Sequence, residues 1–213
     1  MTLALYGTSL SYGYVYEDAR LPQHPWGGWG TWVAATIESP TRSVTRLVWD
    51  LVGTATAFHP SAQRLASLLL HLFNGVLLWL IARRLPLSLI GAVVSTGLFL
   101  WHPAQIETVA AVAYRSELIV GTCVLLALWC AERGWLVASW CAAVSAIGGK
   151  EAGVIAVALV PLWASWRRLP AWTSTAWMVW TMACLPVLSM GLALVQAQHL
   201  PWMSPQQTVA TLG

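Results

Sequence analysis

The sequence predicts an all-α, polytopic transmembrane protein of about six to seven spans, and three observations lead there. Of its 213 residues, 58% are hydrophobic and only 9% charged, against roughly 25% charged in a soluble domain. Long uncharged runs recur at residues 65–82, 85–101, 118–131, 134–149, 152–166 and from 169 onward. Arginines mark alternate ends of those runs: Arg83 and Arg84, then Arg133, then Arg167 and Arg168.

A spanning helix needs about 20 residues and at least about 17, so the shorter runs must borrow flanking residues or tilt little. These give six spans. Residues 2–16 form a possible seventh, but the run is short and carries Gly7 and Gly13. It lacks the basic n-region and the small-residue cleavage site of a signal peptide, and reads as a shortened or re-entrant first helix. The whole chain, 1–213, reads as one membrane domain. Residues 19–63 hold Pro22, Pro25, Gly27, Gly28 and Gly30, and read as an external loop with one interfacial helix near 42–57.

The net charge of +3 matters less than its distribution. By the positive-inside tendency the arginine-bearing ends face the cytoplasm. His59, His102, Lys150 and Glu151 then emerge on the outer face, together with Glu17 and Asp18. Among the 15 tryptophans, Trp26, Trp29, Trp32, Trp49 and Trp101 fall in or beside these outer segments. They fit an interfacial aromatic belt, or alternatively sugar stacking or a partner interface.

Candidate functional residues gather on that face. Residues 102–117 read HPAQIETVAAVAYRSE and place His102, Glu107, Arg115 and Glu117 between two apolar runs. Glu107 and Arg115 are eight residues apart, so one continuous helix would set them about two turns apart on nearly one side. Ionisable groups at a membrane are costly unless paired or hydrated, which points to function. Each has a structural alternative: Glu17 and Asp18 capping or solvating a loop, Lys150 and Glu151 a surface pair, Arg115 pairing with Glu107 or Glu117, and His102 a backbone cap. His71, inside a run with Asn74 one turn on, suits an interhelical hydrogen bond.

Several chemistries are disfavoured. Cys123, Cys130, Cys141 and Cys184 lie in apolar runs without paired spacing, so neither a metal site nor a disulfide framework is indicated. No Gly-rich phosphate loop is present. The cations are scattered, which leaves no nucleic-acid footprint. No internal repeat of fixed period is visible.

The pattern His102-Pro103, Glu107, Val109-Ala110, Val112, Arg115, Glu117-Leu118 resembles the membrane domain of the transmembrane-and-tetratricopeptide protein O-mannosyltransferase family. Three further pieces agree in order: YVYED at 14–18, RSVTR at 42–46 with ASLLLHLFN at 66–74, and Gly149-Lys150-Glu151. The resemblance covers about residues 10–165. It implies a GT-C-like fold and transfer of a sugar from a polyprenyl-phosphate carrier to an acceptor at the external face. On that footing Glu17 or Asp18 would be the general base. His102, Glu107, Arg115, Lys150 and Glu151 would hold substrate or the lipid phosphate, with Arg115 and Lys150 the cations for the leaving group.

The family continues into further membrane helices and helical repeats, so the resemblance implies a form truncated at both ends. Two functions are then open: a compact transferase, or a non-catalytic accessory or structural subunit of a larger membrane complex derived from that fold, for example a photosynthetic or respiratory one. No cofactor is predicted beyond a polyprenyl-phosphate sugar as the donor of an active form; no residue is assigned as a metal ligand, and the sequence leaves the use of a divalent metal open. The expected partners are membrane lipids, a polyprenyl-phosphate carrier or such a complex, and no nucleic acid. The expected location is the inner membrane of a bacterium, with the motif loops periplasmic.

Overall fold

A computed structural model describes residues 6–11, 13–14, 18, 27–38, 40–173, 176–177, 179–180 and 182–184. Among them every regular element is helical and no strand occurs. The α-helices are α1 (Trp29–Glu38), α2 (Ser43–Ala55), α3 (Pro60–Ala82), α4 (Leu89–Trp101), α5 (Gln105–Ala110), α6 (Arg115–Glu132), α7 (Leu136–Gly149) and α8 (Ile155–Trp166). Short 3-10 turns at Gly7–Ser11, Pro40–Arg42, Val112–Tyr114 and Glu151–Val154 link or precede them.

Two helical stretches, Pro60–Ala82 and Val112–Glu132, are long and apolar enough to cross a membrane. At 23 residues the first is about 35 Å long, more than the roughly 30 Å of a hydrocarbon core. Three shorter apolar helices accompany them, Leu89–Trp101, Leu136–Gly149 and Glu151–Trp166. The run expected from residue 169 onward lies largely outside the described residues, as does most of the expected first helix. In the segment read as a loop, the structure places the additional helix α1. Its WVAATIE stretch propagates a helix once Gly28, at φ +94°, has turned the chain.

The ends of the elements follow from local chemistry. Pro60 occupies the first position of α3, where the missing N–H costs nothing. The Ser88 hydroxyl caps α4 by accepting from the Gly91 N–H at 3.1 Å. The Pro103 ring forces His102 into an extended conformation, which stops α4. α6 closes with Gly134 at φ +75°: the Trp135 N–H reaches the Cys130 carbonyl and the Gly134 N–H the Ala131 carbonyl, the left-handed cap that glycine adopts freely. The same cap ends α8, with Arg168 at φ 50° in the left-handed position.

α6 packs most extensively against α7, and small side chains make this close approach possible. Ala127, Ala131, Ala143 and Ala146 are all 0–1% exposed and form the middle of the core with Ile119, Leu128 and Val160. The Ser139 hydroxyl crosses the seam to the Ala127 carbonyl at 2.8 Å. Large apolar side chains point outward instead: Ile90, Leu98, Val137 and Leu162 are each more than 60% exposed. In α4 the buried residue is Ala92, Leu100 packs on Gly75 of α3, and Leu89, Val93, Val94 and Leu98 face away from the bundle. That inversion suits a hydrocarbon surrounding rather than water.

Among the longer helices, the ends of α3, α6 and α8 meet at one end of the bundle. The starts of α3 and α6 meet the end of α7 at the other, and α2 lies across that second end from Gly149 to Gln63. At one end Glu132 accepts from Trp163 Nε1 and Arg167 Nε, both at 2.9 Å, while Arg167 Nη2 donates to the Arg84 carbonyl at 2.7 Å. Arg133 lies 4.9 Å over Trp129.

The two left-handed caps make opposite predictions. Replacing Gly134 by Ala should cost about 1 kcal/mol, and Arg168→Gly should recover a similar amount. Thermal unfolding of the detergent-solubilised protein measures both.

Candidate functional site

α3 carries a stripe that an apolar helix would not need. Gln63, Ser67, His71 and Asn74 recur at spacings of four, four and three, and all are 0–1% exposed, so one face of the helix is polar and buried. Its lower part holds position through interhelical bonds: the His71 Nε2–H donates to the Leu100 carbonyl at 3.2 Å, and Asn74 Nδ2 donates to the Leu118 carbonyl at 3.0 Å. The Asn74 oxygen accepts from Thr122 at 2.6 Å. The interhelical role expected for His71 is thereby met.

The upper part of the stripe meets the charged residues. Asp18 is 1% exposed; its Oδ1 accepts the Ala113 N–H at 2.8 Å and its Oδ2 lies 3.7 Å from Arg64 Nη2. Arg64, equally buried, donates from Nε to the Ala110 carbonyl at 2.9 Å and from Nη2 to the Gly13 carbonyl. Arg115 enters from the first turn of α6. Its Nη2 donates to the Gln63 carbonyl at 2.6 Å and its Nε to Ser67 Oγ at 3.1 Å, and its guanidinium lies 5.5 Å over the Trp49 ring. Arg115 Nη1, Asp18 Oδ2 and Gln63 Oε1 are buried without hydrogen-bond partners. Among the described residues Asp18 is the carboxylate of this solvent-poor site, paired with Arg64 and felt by Arg115 through its charge.

Tyr14 stands beside this cluster, its hydroxyl donating to the Phe58 carbonyl. Burial pushes its phenol above the ordinary value; the Arg115 charge opposes this, the Asp18 charge adds to it, and Arg64 opposes it.

Lys150 and Glu117 form an ion pair, with side chains about one-third exposed. Glu151 accepts from Thr41 Oγ1 at 3.2 Å and pairs with Arg42 at 3.5 Å. The corner is set by Gly153, where an added Cβ would lie 1.9 Å from the Ala146 carbonyl oxygen, so the turn after Lys150 presses its backbone onto α7. Thr45 Oγ1 donates to the Gly149 carbonyl at 2.6 Å and brings α2 to the same corner.

Not every expected residue joins the cluster. Glu17 lies outside the described residues. His102 is exposed and its Nδ1 accepts the Ala104 N–H at 3.2 Å, the capping alternative. Glu107 is exposed and does not share a helix face with Arg115. The helix that starts at Gln105 ends at Ala110, and the chain turns through Val112–Tyr114 before α6 begins. The eight-residue spacing is thus broken by an extended Ala111, at ψ 123°, and Arg115 pairs with neither Glu107 nor Glu117. Trp49, expected in an interfacial belt, is 6% exposed and covers Arg115.

Arg64, Gln63, Ser67 and Tyr14 belong to the cluster and were not singled out from the sequence. Arg64 stands one residue before an uncharged run and reads there as the end of a loop. The signal that could have found its neighbours is the polar stripe of α3.

The chain matches no family model and no solved structure. It is similar to the protein O-mannosyl-transferase Tmtc1 of Drosophila melanogaster, 29% identical over 155 residues. That alignment covers 66% of this chain and 18% of the fly protein, so the chain spans about a fifth of that relative's length.

Asp18→Ala should cost about 3–5 kcal/mol, because it removes the buried carboxylate that lies 3.7 Å from Arg64 and accepts the Ala113 N–H. Chemical denaturation in detergent tests this; a loss below about 1 kcal/mol would mean that the cluster is hydrated.

Proposed function

We propose that this chain is a GT-C-like, protein O-mannosyltransferase-like membrane protein that transfers a sugar from a polyprenyl-phosphate carrier at the external membrane face. The observation that carries the reading is Arg115, a buried guanidinium whose Nη1 has no hydrogen-bond partner, in a cluster with two arginines and one aspartate. An anion is the group that would complete such a site. The similarity to a protein named as an O-mannosyl-transferase supports a carrier phosphate as that anion.

In the proposed reaction an acceptor hydroxyl attacks the anomeric carbon, and its proton passes to Asp18 Oδ2, or to Glu17 as the other candidate base. The bond from the anomeric carbon to the phosphate oxygen breaks, and polyprenyl phosphate leaves with the electron pair. Arg115 stabilises the charge that develops on the phosphate. Lys150 is the second cation, held at the corner by Glu117. The polytopic arrangement of six to seven spans belongs to this proposal. So does an orientation with Arg83, Arg84, Arg133, Arg167 and Arg168 toward the cytoplasm and the Asp18 end in the periplasm of a bacterium.

The test is the full chain in proteoliposomes with a polyprenyl-phosphate mannose carrying a labelled sugar and a Ser/Thr-rich acceptor peptide. Labelled peptide should form, and Arg115→Met should reduce the rate by about 10²–10³-fold, with Asp18→Asn at least as severe. Formation of no labelled peptide, together with stoichiometric co-migration with a larger membrane complex, would favour a non-catalytic accessory subunit instead.

A further inference from the structure

A cleft of about 470 Å³ opens beside the charged cluster, between α3, α4, α5 and α6. Its volume is in the range of small-molecule sites, about 300–1,000 Å³. Asn74, Gln105, Glu107, Thr108, Tyr114 and Glu117 supply its polar wall, and Phe99 and Leu118 its apolar one. We propose that this cleft is a carbohydrate site that seats one neutral hexopyranose.

Electrostatics narrows the ligand. Two carboxylates line the cleft, and one of them, Glu117, already has Lys150 as its counter-ion. A phosphate would meet the remaining charge of Glu107 without a cation to offset it. A divalent metal is a poor fit too, since the described residues contain no group of three or more His, Cys, Asp or Glu able to hold one. The ligand is therefore uncharged, or carries its charge elsewhere.

Hydrogen-bonding capacity narrows it further. Asn74, 1% exposed, spends its amide on the Leu118 carbonyl and Thr122 and forms the floor of the cleft. Gln105 and Thr108 each can donate and accept, while Glu107 and Glu117 accept. A hexopyranose presents adjacent hydroxyls that each donate and accept, and a C–H face that packs on a ring such as Phe99. The cleft offers both kinds of wall.

Gly121 keeps the space open. A Cβ added there would meet Asn74 Nδ2 at 3.4 Å and nothing else within 4 Å, so a branched side chain would grow into the cleft without striking the helix packing. The cleft also adjoins the reactive groups through one turn: Ala113 binds Asp18 through its N–H, and the next residue, Tyr114, lines the cleft. This deepens the transferase reading and rests on it for the sugar's role, with Arg115 taking the phosphate and the cleft the sugar ring.

The experiment uses the full chain in a detergent without sugar groups, with methyl α-mannopyranoside and farnesyl phosphate as separate probes. Saturation-transfer NMR should show the hexopyranoside bound to the wild type. Gly121→Val should abolish that signal, and Glu107→Gln, a change at an exposed position that leaves folding intact, should weaken binding about tenfold or more. Farnesyl phosphate should still bind both variants and be lost in Arg115→Met. Absence of saturation transfer to the sugar, or equal transfer in wild type, Gly121→Val and Glu107→Gln, overturns the cleft assignment. If farnesyl phosphate binds under those conditions, the transferase reading survives that loss. Sugar binding that Gly121→Val abolishes, in a protein that binds no farnesyl phosphate, leaves the cleft in place and removes the transferase reading.

Discussion

The Asp18–Arg64 pair is the interaction on which this end of the molecule depends. Charges in a low-dielectric interior must be paired and hydrogen-bonded or they destabilise the fold. Here the pair and its backbone partners join segments far apart in sequence. Arg64, near the start of α3, reaches the Gly13 and Ala110 carbonyls, and Asp18 reaches the Ala113 N–H. One ion pair thus ties the N-terminal stretch, the turn before α6 and the first turn of α3 into a single corner. Arg115 enters the same corner, and its position follows from theirs.

The packing beneath that corner explains why it can be so specific. Alanines along the α6–α7 seam let the two helices approach closely, and the Ser139 hydroxyl adds a bond across it. The polar stripe of α3 then has fixed carbonyls to meet on α4 and α6. In an apolar surrounding such bonds contribute modestly, on the order of 1 kcal/mol each, but they select register because a displaced helix would leave polar groups unpaired. Rigid placement of Gln63 and Ser67 is in turn what aims Arg115.

Two neighbouring environments of opposite character result. Among the described residues the buried cluster holds Arg64 and Arg115 beside Asp18, whereas the adjacent cleft carries Glu107 and Glu117, with Lys150 on Glu117. A ligand with an anionic part and a neutral, hydroxyl-rich part would find a complement in each. The turn at Val112–Tyr114 stands between them, because its Ala113 N–H serves one side and its Tyr114 side chain the other.

Composition by itself determined the helical, apolar class of this chain, and run length anticipated α3. The run at 118–131 was among the shortest, and the Val112–Glu132 stretch reaches spanning length by adding the polar residues before it. Arginine placement likewise anticipated that Arg84, Arg133 and Arg167 would share one end of the bundle. The helix breaks were less legible. The extended Ala111 that separates Glu107 from Arg115 has no strong local signal, because alanine accepts either conformation; the Asp18 contact to Ala113 sits beside it and is a tertiary event. The partners of Arg115 and the role of Arg64 were decided by tertiary structure alone, for the same reason. Which carboxylate a buried cation meets depends on which helices pack together, and a single sequence lists the charges without stating their distances.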